Sequence, residues 1–288
     1  MTDYLPLPEG GLKRQGSGYF PLRFPDTGGV PLPVLVSPLL EEQQGFRHLF
    51  TTRGGGTSGG IFRTLNLSFA RGDEEACVSE NFRRVAAAFG SEPDRIVSTH
   101  QTHTDNIRIV TEEDAGKGVT RERDYDNIDG LLTNTPGLIL GVYVADCVPV
   151  LIIDPVSRAI GAVHSGWRGT AAGIGAKAAA LMKEQFGSKP EDLICAVGPS
   201  ICRNCYEISE DVAAEIASAL GQRAGEAVFA KDRRDGKAAA LSEEQLQVIS
   251  ARADREAEQK YLADLWQANR IILEDAGVLP QQDRKSVV

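Results

Sequence analysis

The sequence predicts a single mixed α+β domain, with β-strands concentrated between residues 95 and 198 and helices on the outside. Short apolar runs rich in Val and Ile crowd that central stretch, and segments with apolar residues at helical spacing flank and interrupt it. No internal repeat and no clean linker divides the 288 residues, a length that fits one large domain or two small ones. We therefore expect one domain built around a central group of strands.

The N-terminal third begins with a Pro- and Gly-rich stretch of little periodicity. We assign residues 1–40 to an N-terminal extension and residues 41–288 to the α+β domain. The aromatic and β-branched run 46–53 predicts the first strand, and the glycines of 54–60 predict a loop. Apolar residues at helical spacing over 74–89, followed by Gly90, predict a helix that ends at a glycine.

The remaining elements follow from the same two periodicities. Residues 138–154 form an apolar run that is too long for one strand and contains Pro149, so it predicts two buried strands that meet at a polar kink. The other predicted strands are two within 95–110, flanking a polar turn, and one each at 128–133, 159–164 and 193–198. Helices are predicted at 171–186, 209–221 and 242–275, the last of them broken near its middle.

Composition excludes several classes of protein. The chain is 42% hydrophobic and 25% charged, close to the average of folded proteins, and it has no apolar run of about 18 residues that would span a membrane. Its net charge of −9 comes without a block of Lys or Arg, which argues against a nucleic acid or an anionic membrane as partner. No signal peptide is visible, and the five scattered cysteines indicate reduced thiols, so we expect a cytoplasmic protein.

Three groups of side chains are candidates for chemistry, and the first is the pair His100 and His103. Residues three apart on a strand face opposite sides of the sheet, so a strand would not place both imidazoles on one metal ion. A turn would bring them together. The simpler expectation is that one histidine is a ligand and the other is not.

The second group is Cys147 with its neighbour Asp146, at the polar kink. A buried cysteine usually serves only as a small apolar side chain. Asp146, however, is the only charged residue of its apolar run before Asp154, and a buried carboxylate costs several kcal/mol unless it is paired, hydrogen-bonded or near a metal. This placement favours a functional site.

The third group is His164 and the turn 165–169 that follows it. Side chains at strand ends emerge from a rigid sheet into a crevice, where binding and catalytic groups commonly lie. Gly166 and Gly169 permit close backbone approach, and the N-terminus of the next helix offers free N–H groups to an anion. Turn geometry alone explains the two glycines equally well.

Together these groups permit two kinds of chemistry. One cysteine and two histidines provide three ligands for a tetrahedral zinc ion with an open fourth position. Cys147 activated by His164 would instead be a thiol nucleophile. Cys202 and Cys205 form a lone CxxC without a second pair, and we assign them a structural role.

The motifs of the chain, taken in order, resemble the YfiH/multicopper-polyphenol-oxidase family, whose members have been called laccase-like proteins, peptidoglycan-editing factors and purine nucleoside phosphorylases. The two most specific blocks are ADCVP at 145–149 and HSGWRG at 164–169. The resemblance extends from about residue 46 to residue 277. It includes TRGGGTS at 52–58, QTH at 101–103, IDGLLT at 128–133, GPSI at 198–201, CYE at 205–207 and NR at 269–270.

The resemblance implies a fold, a metal and an activity. The implied fold is α+β with mixed β-sheets packed between helical layers, shared with a family of toxin deamidases that use a Cys–His pair. The implied zinc ligands are His103, Cys147 and His164, which leaves His100 outside the site. The implied activities are phosphorolysis of adenosine, inosine, guanosine and methylthioadenosine, together with hydrolytic deamination of adenosine.

The resulting interpretation is a zinc-dependent enzyme whose partners are purine nucleosides and phosphate. Asp146 would orient a ligand or carry a proton, and Arg53, Asn66, Ser165 and Arg168 would face substrate or phosphate. Residues 1–40 match no part of the family. The family's usual C-terminal tail, with its Cys-Thr and Ser-x-Arg segments, does not follow residue 277 here, so slow turnover is expected.

Three alternatives stay open at this point. A copper-dependent polyphenol oxidase is disfavoured, because oxidase copper sites generally need more histidines than this chain offers once His48 is set aside. A Cys–His thiol hydrolase uses Cys147 and His164 without a metal. An inactive metal-binding remnant is the third.

Overall fold

A computed structural model describes residues 12–13, 19–231, 238–240 and 260–280 of the chain. Sixteen β-strands run through these residues. They are β1 (Leu12–Lys13), β2 (Tyr19–Phe20), β3 (Leu22–Arg23), β4 (Val34–Leu35), β5 (Phe50–Thr51), β6 (Ile96–Ser98), β7 (Ile107–Ile109), β8 (Gly130–Thr133), β9 (Ile139–Gly141), β10 (Val148–Asp154), β11 (Ala159–Ser165), β12 (Ile194–Val197), β13 (Glu207–Ile208), β14 (Val228–Lys231), β15 (Ala238–Ala240) and β16 (Tyr261–Ala263).

The same residues contain six α-helices. They are α1 (Pro38–Glu41), α2 (Glu75–Ala88), α3 (Trp167–Ala171), α4 (Ile174–Phe186), α5 (Glu210–Leu220) and α6 (Leu265–Asp275). Short 3-10 turns lie at Gly60–Phe62, Phe69–Arg71, Pro93–Arg95, Glu112–Asp114, Pro190–Asp192 and Gly221–Glu226. Within the described ranges, every helix falls short of the length and apolar character that a bilayer crossing requires.

A mixed five-stranded sheet forms the centre of the molecule, in the order β12-β10-β11-β8-β7. The β7–β8 pair is parallel, and the other pairs are antiparallel. Successive side chains of β8 show that both faces are covered: Leu132 packs in the cluster with the helices, and Leu131 packs in a cluster with Val97 on the other side. This two-sided burial explains why the central strands are apolar at nearly every position.

Layers of helix cover both sides of the sheets. Met182 of α4, Ile216 of α5 and Ile271 of α6 pack on one face of the central sheet. On the other face lies the parallel pair β6–β9, and Phe82 of α2 packs against its outer side beside Ile96. The predicted α+β fold, a single domain with mixed β-sheets packed between helical layers, is confirmed.

The segment 19–40, assigned from sequence to an extension, contributes to this packing. Strands β3 and β4 pair with each other and β4 pairs with β5. Leu32 and Val34 are buried in a cluster with Val85 of α2. The domain boundary at residue 40 stays a prediction.

Several predicted elements differ from the structure in their extent. The strand predicted at 46–53 is reduced to β5, and residues 46–49 line a cavity of about 560 Å³ against the central sheet. The run 138–154 does contain two strands, but β9 and β10 belong to different sheets. Pro149 lies within β10, opposite His164, and not in the connection.

One of the predicted helices matches the structure, and others differ from it in extent. Helix α2 matches the prediction, and Gly90 beyond it has a φ of +67°, a left-handed conformation that glycine adopts without strain. The helix predicted at 171–186 is interrupted at Gly173, where φ is +71°. Of the helix predicted at 242–275, residues 261–263 form a strand and 265–275 a helix, and 242–259 lie outside the described residues.

Candidate functional site

Strand register brings the candidate residues to one end of the central sheet. In the antiparallel pair β10–β11, Val148 lies opposite Ser165 and Pro149 opposite His164. Cys147, directly before β10, therefore lies near His164 at the end of β11. Gly130 lies opposite Val163, which puts Asp129 beside His164. The polar turn before β7 reaches the same edge because β7 runs parallel to β8.

His103, Cys147 and His164 form a cluster at this edge. One ligand atom from each residue, an imidazole nitrogen or the thiol sulfur, lies within 4.8 Å of the other two. The two imidazole rings meet edge to face with centroids 5.0 Å apart. His164 is buried, Cys147 half-buried and His103 exposed, so the cluster opens to solvent on the side of His103.

The chemistry and spacing of these donors fit a zinc ion. Thiolate sulfur and imidazole nitrogen are its preferred protein ligands, with bonds of about 2.0–2.3 Å that place tetrahedral donors roughly 3.3–3.8 Å apart. The observed cluster, within 4.8 Å, needs only a small contraction to reach that spacing. Three donors would leave the fourth position open toward the exposed side.

Buried Asp129 shapes the turn that carries His103. Its carboxylate accepts hydrogen bonds from the backbone N–H groups of Thr102 at 3.1 Å, His103 at 3.1 Å and Thr104 at 2.9 Å, and from the Thr104 hydroxyl at 2.9 Å. His103 has a φ of +64°, which few residues other than glycine adopt. These bonds offset the cost of the left-handed backbone, and the turn that they hold places the His103 ring beside the His164 ring.

The same carboxylate orients His164. Oδ1 of Asp129 lies 2.7 Å from Nδ1 of His164. Burial alone would raise the pKa of Asp129, but hydrogen bonds from His164 and from Thr104 and Thr102 hold it well below its usual range. An ionised carboxylate only accepts hydrogen bonds, so Nδ1 of His164 donates, and Nε2 is the nitrogen available to the cluster.

The proton balance of His164 follows from its neighbours. Burial lowers the pKa of His164, but hydrogen bonding with Asp129 and with Cys147 outweighs burial and raises the pKa to about 9. Nε2 must therefore give up a proton before it can bind a metal ion. Metal binding at such a site releases protons.

Gly166 lies against the cluster and leaves no room for a side chain. A Cβ at this position would be 3.0 Å from Cδ2 of His103 and 3.1 Å from Sγ of Cys147. The backbone itself is ordinary, with a φ of −67°. The requirement for glycine therefore comes from the two cluster residues and not from turn geometry.

Gly166→Ala should consequently weaken metal binding without unfolding the protein. The new methyl group pushes His103 and Cys147 apart, and we expect a zinc affinity lower by about 10–100-fold, the range seen when groups that position ligands are altered. Competition with a chromogenic chelator measures the affinity. Gly59→Ala is the matched control, because a Cβ at Gly59 meets nothing within 4 Å. Equal affinity in the two variants would contradict this role for Gly166.

His100 lies outside the cluster, and Asp146 does not occupy the buried position that the sequence predicted. His100 pairs with Ile128 through its backbone, and its Nδ1 lies 3.3 Å from Asp126. Asp146 is exposed, so the predicted cost of a buried carboxylate does not arise. The connection 144–146 leaves the core between β9 and β10, which is why this carboxylate reaches solvent.

Ser165 is buried, and its hydroxyl forms hydrogen bonds within the fold. Its hydroxyl donates to Oδ1 of Asn269 at 2.7 Å and lies 2.9 Å from the Thr170 hydroxyl. The amide of Asn269 also donates to Thr170 at 3.1 Å. This network joins the end of β11 to α3 and α6, and it leaves Ser165 without a hydroxyl proton for phosphate.

The three remaining candidates lie at the surface or within one loop. Arg168 is exposed, and its guanidinium stacks on Trp167 with 4.3 Å to the ring centroid. Arg53 donates to the carbonyls of Ile61 and Arg63. Asn66 bonds to the Ser68 backbone and to Asp73. The contacts of Arg53 and Asn66 shape their own loop.

The anion site expected at a helix N-terminus near residues 170–175 stays a prediction. Helix α3 has only five residues. Helix α4 starts at buried Ile174, and Gly175 packs against Leu273 of α6. The first residues of α4 therefore pack against a neighbouring helix.

Two residues that sequence reasoning missed lie at the cluster. Asp129 is one, and its signal was a single carboxylate opening the apolar run 129–133. Tyr206 is the other. Burial raises the pKa of Tyr206, and the nearby charges of Cys147 and Asp146 raise it further, whereas Arg168 lowers it. Tyr206 is therefore within electrostatic range of these three side chains.

A mixed α+β domain with a thiol and two imidazoles converging at one end of its central sheet defines a class of proteins with a candidate metal centre. Residues 47–287 match the family described as multi-copper polyphenol oxidoreductase laccase, and the chain belongs to this family. The resemblance stated from the sequence motifs is thereby confirmed.

Relatives within the family carry the name purine nucleoside phosphorylase. The chain is 40% identical over 192 residues to one from Deinococcus radiodurans, covering 66% of this chain and 70% of that protein. It is 32% identical over 237 residues to the purine nucleoside phosphorylase YlmD of Bacillus subtilis, covering 81% and 75%. The crystal structure of the hypothetical protein YfiH of Bacillus licheniformis has a similar fold, with a TM-score of 0.74, 30% identity and coverage of 92% and 87%.

Proposed function

We propose that this chain is a zinc-dependent purine nucleoside phosphorylase that acts on adenosine, inosine, guanosine and methylthioadenosine and also deaminates adenosine. The observation that carries the proposal is the cluster of His103, Cys147 and His164 within 4.8 Å, held from behind by buried Asp129. The names of the relatives support nucleosides and phosphate as substrates. The free cysteines are compatible with a reducing, cytoplasmic setting.

Each residue of the cluster has a distinct task in this proposal. His103, Cys147 and His164 would hold the zinc ion, which when bound supplies a Lewis acid that polarises an oxygen of substrate or water. Asp129 keeps the Nδ1 proton of His164 in place and so leaves Nε2 free. Substrate approaches from the side of exposed His103, because His164 and Gly166 close the opposite side.

In this proposal the side chains around the cluster bind nucleoside and phosphate. Phosphorolysis breaks the bond between ribose C1′ and the purine and forms a bond from C1′ to a phosphate oxygen. The departing base must receive a proton. Tyr206 keeps its hydroxyl proton at neutral pH, because its pKa is raised, and can donate a hydrogen bond to a purine nitrogen. In this proposal Asp146 would exchange a proton, and exposed Arg168 would bind phosphate.

The decisive experiment is inosine turnover with and without phosphate, with sugar products separated by chromatography. We expect ribose 1-phosphate and hypoxanthine, and no turnover without phosphate. Arg168→Ala should raise the KM for phosphate more than that for inosine. Arg53→Ala is its comparison, because Arg53 already donates to two carbonyls of its own loop. Free ribose formed at the same rate with or without phosphate would make the protein a hydrolase.

One observation favours a second candidate, a metal-free thiol hydrolase. Oδ1 of Asp129 lies 2.7 Å from Nδ1 of His164, and a ring nitrogen of His164 lies within 4.8 Å of the Cys147 sulfur, so a carboxylate orients an imidazole that lies beside a thiol. This is the arrangement of an activated cysteine nucleophile. The two candidates differ in what Cys147 does, and substitution of that residue separates them.

A further inference from the structure

Cys202 and Cys205 lie in one tight turn with their sulfur atoms 3.1 Å apart. The N–H of Cys205 donates to the carbonyl of Cys202 at 2.9 Å, and the N–H of Tyr206 donates to the same oxygen at 3.1 Å. Such a turn keeps its first and fourth Cα atoms within about 7 Å. A disulfide typically spans Cα atoms about 4.4–6.8 Å apart, so the pair needs little backbone movement to join.

The two thiols are not equivalent. A hydrogen bond from Cys205, and backbone N–H groups of Cys205 and Asn204, lower the pKa of Cys202. The same contact raises the pKa of Cys205. Cys202 is half-buried and Cys205 exposed. An acidic thiol next to a less acidic and accessible one is the usual asymmetry of a pair in which one sulfur attacks and the other resolves.

We propose that Cys202 and Cys205 form a redox-active dithiol, which low-molecular-weight disulfides oxidise to an intramolecular disulfide. In the first step the Cys202 thiolate attacks one sulfur of the small disulfide, forms a mixed disulfide and expels one small thiolate. In the second step the Cys205 sulfur attacks Sγ of Cys202 and expels the other. The protein loses two electrons, the small disulfide is reduced to two thiols, and the protons of the two cysteines pass to them.

The position of the turn ties this chemistry to the candidate metal site. The N–H of Ile201 donates to the carbonyl of Asp146 at 3.1 Å. Tyr206 follows Cys205 directly and is within electrostatic range of Cys147. A disulfide between Cys202 and Cys205 would therefore restrain the segment directly before Tyr206. This assignment replaces the structural role given to the CxxC from sequence, and it does not depend on the proposed function.

The test is oxidation of the reduced full-length protein by glutathione disulfide, followed by acid quenching, alkylation and mass spectrometry of the intact chain and its peptides. We expect the wild type to lose the alkylatable thiols of Cys202 and Cys205 together and to retain no glutathione. Cys205→Ser should retain one glutathione on Cys202. Cys202→Ser should react more slowly, at Cys205. The control Cys77→Ser, on α2, should behave as the wild type.

Three results would overturn the proposal. The first is glutathione retained on the wild-type chain, which would mean that the second thiol does not resolve the first. The second is continued alkylation of both cysteines. The third is a loss of thiols that maps to Cys147 or Cys77 instead. Because both cysteines lie at or near the surface, the serine variants should fold, and circular dichroism checks this.

Discussion

Cys147→Ala, His103→Ala and His164→Ala are each expected to lose bound zinc and to reduce nucleoside turnover by at least about 100-fold. Removal of one donor leaves two, and two protein ligands seldom retain zinc against water and buffer. Loss of groups that merely orient ligands already costs about 10–100-fold in affinity or activity, so loss of a ligand should cost more. Elemental analysis of purified protein and a nucleoside assay measure the two effects.

His100→Ala is the matched control for the three ligand variants. His100 is an imidazole on the same turn, but it contacts the loop at Asp126 and should leave zinc and turnover nearly unchanged. A Cys147→Ala protein that keeps its zinc and loses all activity would contradict the ligand role and support the thiol nucleophile instead. Loss of zinc in His100→Ala would place the metal elsewhere in the turn.

Asp129→Ala should be the most destabilising single substitution at the site, by roughly 3–5 kcal/mol, the range for breaking a buried ion pair. It leaves the N–H groups of Thr102, His103 and Thr104 and Nδ1 of His164 without their acceptor. Urea denaturation of the metal-free protein measures the loss. Asp126→Ala is the control, because Asp126 is a largely exposed carboxylate three residues away.

The stability loss in Asp129→Ala should also depend on pH. The folded protein depresses the pKa of Asp129, so its contribution is complete above the unfolded value of about 3.9 and is lost as the pH falls toward the lower folded value. The difference between wild type and variant should be largest between about pH 4 and pH 6.5 and should shrink below about pH 4. It should also fall as the pH rises above about 6.5, because the hydrogen bond with Asp129 helps to raise the pKa of His164 to about 9 in the folded wild type. A difference that does not exceed that of Asp126→Ala would show that Asp129 is not needed to hold the turn.

The fold was largely accessible from the sequence, because burial on both faces gives the central strands apolar residues at nearly every position. The limits of β10 and β11 were visible in this way. Their hairpin register would also have placed Cys147 beside His164 by counting outward from the turn at 155–158. Successive strands such as β9 and β10 could not be assigned to different sheets, because an apolar run does not indicate which strand each of them pairs with.

The site was less accessible, because its polar residues act through contacts between distant segments. The left-handed conformation of His103 depends on a carboxylate 26 residues away, which no local pattern predicts. Ser165 stands in a motif that resembles an anion-binding turn, but the Ser165 hydroxyl donates to buried Asn269. The sequence family supplied the three cluster residues, and Asp129 became visible only through its hydrogen bonds.

The bond between Ser165 and Asn269 has a consequence for the order in which the protein is made. A polypeptide is synthesised from its N-terminus, and the candidate ligands His103, Cys147 and His164 are all present once residue 164 has been added. Asn269 comes 104 residues after Ser165, so this hydrogen bond at the end of β11 forms only when α6 has been translated and has docked. A nascent chain thus carries every candidate ligand well before this bond can form, and we expect the candidate metal site to be completed at a late stage of folding.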